Sequence, residues 1–317
     1  MRRYAIPFAL VSLLLPITVF SQSRTPDAAV NHFKNALKKS GNGDLDGAIE
    51  DYTRAIRLSS HFNTSKNSDS RLGNSLTDYS AETVTVIDPF TANAYNNRGI
   101  ARFKKNDFPG AIEDYDQALK IRPGLASVYL NRAAAKRSNG DLQGAMQDLD
   151  RAIAIKKDFH EAYCNRGSLK LDLEDHDGAL ADLNRSIELN ARVAESFYQR
   201  GYVYLGLKDF DRGLADFERT IKLAPEMAWA YQGRGTAHMY KGEMLEAVAD
   251  FTRTIELDPQ IAWAYFNRGL ARVFLGEESE AQKDFDECLR LRPDLKTQLD
   301  PRIVLARQLR RIGNSQE

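Results

Sequence analysis

Arginine and aspartate recur at a fixed distance along this chain, and they are the first residues to examine for chemistry. Arg98, Arg132, Arg166, Arg200, Arg234 and Arg268 stand 34 residues apart, and each is followed at the same interval by Asp114, Asp148, Asp182, Asp216, Asp250 or Asp284. A guanidinium offers two parallel donors that match a carboxylate, so two such rows can form a ladder of ion pairs. The other chemistry open to an arginine row is anion binding. The ladder is the better reading, because carboxylates are supplied in equal number and an unpaired charge near a packed seam is costly. One further aspartate, Asp51, precedes the rows and one further arginine, Arg302, follows them. Seven acids and seven bases then match if each aspartate reaches forward, Asp51 to Arg98 and onward to Asp284 with Arg302, which predicts an inter-repeat ladder.

Other reactive residues are sparse and scattered. His32, His61, His160, His176 and His238 form no i,i+4 pair and no HExxH string, and neither GxSxG nor GxxxxGK[ST] occurs. No catalytic residue, metal ligand or cofactor is expected, and the chain does not read as an enzyme. Cys164 and Cys288 lie too far apart for a bridge within an elongated array; Cys288 reads as a packing residue and Cys164 as an accessible thiol. Lys+Arg and Asp+Glu both total 44, which removes the electrostatic footprint expected of a nucleic-acid binder.

The elements that must hold these residues repeat with them. Six copies of 34 residues run without a gap from Ala92, Ala126, His160, Ala194, Ala228 and Ala262, ending at Leu295. Within each copy, position 4 is aromatic (Tyr95, Tyr129, Tyr163, Phe197, Tyr231, Tyr265), positions 8 and 20 are Gly or Ala, and position 24 is large and apolar. Positions 4, 8 and 11 share one helical stripe, and 20, 24, 27 and 28 another, so each copy predicts two helices joined near position 15. Gly140 and Gly242 mark that junction, and Pro123, Pro225, Pro259 and Pro293 close the second helix at position 32.

This pattern resembles the tetratricopeptide repeat across residues 92–295, with departures where Lys157 and Ala191 replace the closing proline and where His176 and Glu278 replace an aromatic. The resemblance implies an all-α fold, a right-handed superhelical solenoid of helix pairs. It also implies that positions 2, 5, 6, 9, 12 and 13 line a concave side on which extended peptides or partner helices lie. In the last three copies that stripe is aromatic, with Tyr198, Tyr202, Trp229, Tyr240, Trp263, Phe266 and Phe274, residue types enriched at interaction hot spots. Position 6 adds Asn97, Asn131, Asn165 and Asn267, whose carboxamides can bond a peptide backbone from both sides. The expected function is therefore an adaptor or scaffold for a protein or peptide. A homodimer through the aromatic end is the alternative, and an accessory to a cell-envelope enzyme a third reading.

Outside the six copies the chain changes character. Residues 1–21 combine Arg2 and Arg3, an apolar run broken by Pro7 and Pro16, and Val19-Phe20-Ser21 before polar residues. This reads as a cleaved signal peptide, giving a secreted or periplasmic protein with no membrane insertion after cleavage; the alternative is an anchor formed by an uncleaved signal. Residues 22–58 hold a degenerate first repeat from about Ala29, in which "GDLDGAIEDYTRAIRL" (43–58) reproduces positions 15 to 30. A polar insertion follows at 59–91. Residues 296–317 read as a capping helix and tail, with Asp300 as the cap and Ile303, Ala306 and Leu309 packed on the last repeat, closing the array.

Overall fold

A computed structural model describes residues 25–69 and 89–313. The expected signal segment, the later part of the insertion and the extreme tail lie outside the described residues. Among those described there are fifteen α-helices and no strand, and the chain divides between Arg166 and Gly167 into two compact units.

The first unit contains α1 (Asp27–Gly41), α2 (Leu45–Asp69), α3 (Pro89–Lys104), α4 (Phe108–Ile121), α5 (Ala126–Ser138) and α6 (Leu142–Ile155), and ends inside α7 (His160–Asp172). The second contains α8 (His176–Leu189), α9 (Ala194–Gly206), α10 (Phe210–Leu223), α11 (Ala228–Lys241), α12 (Met244–Leu257), α13 (Ala262–Leu275), α14 (Glu278–Leu291) and α15 (Lys296–Gly313). In each unit most helices pack on their neighbours in sequence, α15 packs on α13, and first helices of successive pairs also touch, as α3 does α5 and α11 does α13.

Three sequence positions make each hairpin. Position 15 is left-handed in every copy: Gly43, Asn106, Gly140, Glu174, Lys208, Gly242 and Gly276 all have φ between 61° and 90°. Position 16 caps the second helix, with Asp44, Asp107, Asp141 and Asp175 each accepting from the backbone N–H of a glycine at 2.8–3.0 Å. Position 24 fills the space between the helices; Tyr115, Leu149, Leu183, Phe217 and Phe251 are fully buried there. A small position 8 is the complement of that side chain. A Cβ added to Gly269 would stand 2.4 Å from the ring of Phe285.

The described ends depart from expectation in two places. Helix α2 continues to Asp69, into what sequence assigns to the insertion, and Ser59 hydrogen-bonds Thr91 at 2.8 Å across the base of that interruption. Helix α15 starts at Lys296, so Asp300 lies inside it, not at its cap, and Pro301 is an interior residue. Leu299 and Ala306 pack on the last pair, but Leu309 is 48% exposed.

Two substitutions separate these constraints. Lys208→Gly removes an L-residue from a left-handed position costing roughly 1–2 kcal/mol and should raise stability by about 0.5–1 kcal/mol once glycine's own entropy is subtracted. Gly269→Ala would gain about 1 kcal/mol in an open helix but should instead lose about 1–3 kcal/mol by overpacking against Phe285. The midpoint of thermal unfolding followed by circular dichroism should rise for the first and fall for the second.

Candidate protein-binding face

Beneath the repeat surface the predicted charges assemble within five of the hairpins. Arg98 Nη2 and Nε donate to the Asp114 carboxylate at 2.6 and 3.0 Å, and Arg200 to Asp216, Arg234 to Asp250 and Arg268 to Asp284 in the same bidentate way. Arg132 Nε reaches Asp148 at 2.8 Å. These aspartates are buried at 5% exposure or less. A second cation from position 11 clamps the same carboxylates, with Arg102 on Asp114 at 3.2 Å, Lys136 on Asp148 at 2.9 Å, Lys170 on Asp182 at 2.8 Å and Arg272 on Asp284 at 2.8 Å. Each position-7 guanidinium also lies over the position-4 ring three residues before it, at 5.4 Å for Arg98 on Tyr95 and Arg132 on Tyr129. Burial raises the Asp114 carboxyl above its ordinary pKa despite the opposing pull of Arg98 and Arg102.

The forward pairing predicted from the counts is thus incorrect. Asp51 takes Lys39 at 2.7 Å and His32 at 2.8 Å from α1, not Arg98, and Arg302 lies over the Phe266 ring at 5.4 Å, not against Asp284. Positions 7 and 23 face each other across their own hairpin, and the first copy replaces its missing arginine with the lysine and histidine. What does cross between copies is the remaining Nη1 of the arginine, which reaches a polar side chain at position 25 of the copy before. Arg98 donates to Thr53 at 2.9 Å, Arg132 to Asp116 at 2.6 Å, Arg166 to Asp150 at 2.7 Å, Arg200 to Asn184 at 2.6 Å and Arg268 to Thr252 at 3.1 Å.

The asparagines expected to meet a peptide are also inside. Asn97, Asn131, Asn165 and Asn267 are all buried. Asn131 Nδ2 donates to Asn96 Oδ1 at 3.1 Å, Asn96 Nδ2 donates to Asn97 Oδ1 at 3.3 Å, and Asn97 bonds the Tyr52 hydroxyl. In the first unit these carboxamides therefore satisfy one another between consecutive first helices. Where the row lapses, at Gly233, the Phe217 ring occupies the space, 2.4 Å from where a Cβ would stand.

The aromatic set divides by depth. Tyr198 and Phe266 are buried and serve as supports, which corrects their assignment to an open surface. Tyr202 packs edge-on against Tyr198 with centroids 5.0 Å apart, and Trp263 tilts over Phe266 at 4.9 Å. Trp229 and Trp263 are half-buried beside an apolar cluster of Ala228, Ile261 and Ala264, and Phe274 is half-buried against the core of the last pair. Tyr240 is 61% exposed and stacks on Phe210 at 5.4 Å with a 16° interplanar angle.

Four tetratricopeptide repeat models match the chain, at residues 92–125, 125–158, 164–228 and 264–295. The chain belongs to the tetratricopeptide repeat family. Comparison with curated proteins finds no match. Among solved structures, a tetratricopeptide repeat protein from Parabacteroides merdae is 18% identical, covering 89% of this chain and 99% of that one with a TM-score of 0.63. PilF of Pseudomonas aeruginosa is 17% identical over 64% of this chain and 92% of its own, with a TM-score of 0.57. A chain of the Cut9–Hcn1 hetero-tetramer is 15% identical over 69% of this chain and 42% of its own, with a TM-score of 0.63. At these identities the likeness is one of fold. This tetratricopeptide fold is a scaffold suited to binding proteins or peptides.

Two features of this tetratricopeptide array escaped sequence reasoning although the signal was present. Basic residues stand at position 11 in every copy except the one with Tyr204, and polar acceptors recur at position 25. Cys288 is fully buried, and burial pushes its thiol pKa up to about 11. Cys164 is 3% exposed, so it is not the accessible thiol expected. Among the described residues no group of three or more His, Cys, Asp and Glu could hold a metal ion, and no helix is long and apolar enough to cross a membrane.

The two arms of the guanidinium should differ in strength. Asp148→Ala strands Arg132 and Lys136 beside a buried gap and should cost about 3–5 kcal/mol. Asp116→Ala removes a half-exposed partner and should cost less than about 1 kcal/mol. Double-mutant cycles with Arg132→Met, read by urea unfolding, should give the larger coupling to Asp148; a larger coupling to Asp116 would restore the inter-repeat ladder.

Proposed function

We propose that the protein is an adaptor that binds a segment of another protein along the aromatic first helices α9, α11 and α13 of its second unit. The observation that supports this reading is the pair of partly buried indoles, Trp229 and Trp263, held at the same point of successive copies by buried alanines. A ring fixed from below and open above presents a large apolar contact at little entropic cost. Tyr202, Tyr240 and Phe274 extend the surface, while Tyr198 and Phe266 hold it rigid. We also infer that residues 1–21 direct export, which would place the adaptor outside the cytoplasm.

These are the only two tryptophans in the chain, so a bound segment should shift the intrinsic emission to the blue. p-Benzoylphenylalanine placed at Trp229 should give covalent adducts with a partner, and Trp229→Ala/Trp263→Ala should weaken that partner's binding by about 30-fold or more, as expected of hot-spot residues. Equal adduct yield from the same group at Lys120, on α4 of the first unit, would place the binding surface elsewhere. For export, intact-mass analysis of the secreted or periplasmic fraction should find a chain beginning near Gln22; a full-length mass would show that the segment is retained.

A further inference from the structure

We propose that His238 is a proton-dependent latch, which fastens the start of α12 to α11 when it is protonated and releases it when it is neutral. His238 stands at position 11, where the other copies carry Lys39, Arg102, Lys136, Lys170, Tyr204 and Arg272. Of these side chains the imidazole is the one whose type changes charge near neutral pH.

Its surroundings ask for that charge. Nδ1 is 2.6 Å from Glu243 Oε2 and Nε2 is 3.9 Å from Oδ2 of the buried Asp250, so a carboxylate faces each ring nitrogen. A neutral imidazole has one N–H and can serve one of them, whereas the imidazolium serves both. Arg234 pairs with Asp250 at 2.7 Å, and Lys241 pairs with Glu243 at 3.2 Å and with Asp211 of α10 at 2.7 Å. Asp211, Glu243 and Asp250 thus meet two permanent cations, and a protonated His238 balances the third acid. Among the described residues no carboxylate of α9 or α13, which also touch α11, pairs with the ring.

Glu243 shows what the contact does to the hairpin. At position 16, Asp44, Asp107, Asp141, Asp175 and Asp209 each cap the helix that follows them. Glu243 makes no such cap and is bound by His238 instead. The next copy repeats the arrangement with a permanent cation: Glu277 makes no cap, and Arg272 lies 3.6 Å from it and 2.8 Å from Asp284. The two hairpins differ in whether the bridging cation can lose its charge. Helix α11 carries Trp229 and Tyr240, so the proton sets how firmly the helix beneath those rings is held.

Raising the pH through about 5 to 8, where histidine gives up its proton, removes the bridge. Its stabilisation is therefore present below that range and lost above it. Glu243 sets the acid limit. The bond from His238 holds its carboxyl below the ordinary carboxylate range, against partial desolvation and with help from Lys241. The carboxylate's share is thus present at and above that ordinary range and lost as the pH falls below it. The latch is closed in the mildly acidic interval between the two limits.

Hydrogen–deuterium exchange of the full chain, read by mass spectrometry on peptides 244–251 and 278–285 and corrected for intrinsic rates, tests the latch from about pH 5.5 to 8. Protection of 244–251 should fall by about threefold or more as the pH rises, as loss of a part-exposed ion pair allows, while that of 278–285 stays level. His238→Arg supplies the residue that Arg272 provides in the next copy; circular dichroism should match the parent, and protection of 244–251 should stay at its acid value throughout. His238→Gln should leave that peptide weakly protected at every pH; should this variant not fold, the parent and His238→Arg still decide. The same pH course in both peptides, or a fall in 244–251 that persists in His238→Arg, would overturn the proposal.

Discussion

A carboxylate taken out of water and held by cations of the facing helix is the constraint around which the hairpins are arranged. Desolvating an acid costs several kcal/mol, and the cost is recovered only when the geometry of its partners is tight. Arg132 and Lys136 meet Asp148 from positions 7 and 11, one helical turn apart on the same helix. That fixes the rotation of the first helix against the second. The position-4 ring under the guanidinium and the small position 8 opposite the large position 24 follow from the same rotation. A shift of one residue would separate cation from acid and press backbone into ring.

The same geometry explains where the apolar surface is spent. With one stripe of each first helix committed to its own partner and another, at positions 3, 6 and 10, to the preceding copy, little is left to meet solvent. Position 2 lies at the margin of the covered stripe, and this is why Trp229 and Trp263 keep part of their surface while Phe266, three residues after Trp263, keeps none. The proposed binding surface is the residue of two packing demands, which makes it narrow and rigid.

Much of this architecture was legible in the amino acids. The period, the helix pairs, the small positions and the terminal helix were all carried by residue type at fixed spacing, because each is enforced by sterics repeated in every copy. The partner of each arginine was not, since positions 7 and 23 lie at equal depth from the turn within a copy and from the turn between copies. Counting charges could not separate the two when His32 and Lys39 stand in for the first arginine. Depth of burial on the first-helix stripe was illegible for a related reason. A helical wheel gives direction but not how close the neighbouring helix comes, and that closeness decides between buried Asn131 and partly buried Trp229.

The polar residue at position 25 that receives the spare nitrogen of the next arginine varies among Thr53, Asp116, Asp150, Asn184 and Thr252. The acid that the arginine grips within its own hairpin does not vary. Electrostatic bookkeeping is thereby settled inside each module, and the joint to the neighbour asks only for some oxygen. A gene encoding such units can duplicate or delete one whole unit by unequal recombination without stranding a charge, so array length is free to drift while the chemistry of every surviving unit stays intact.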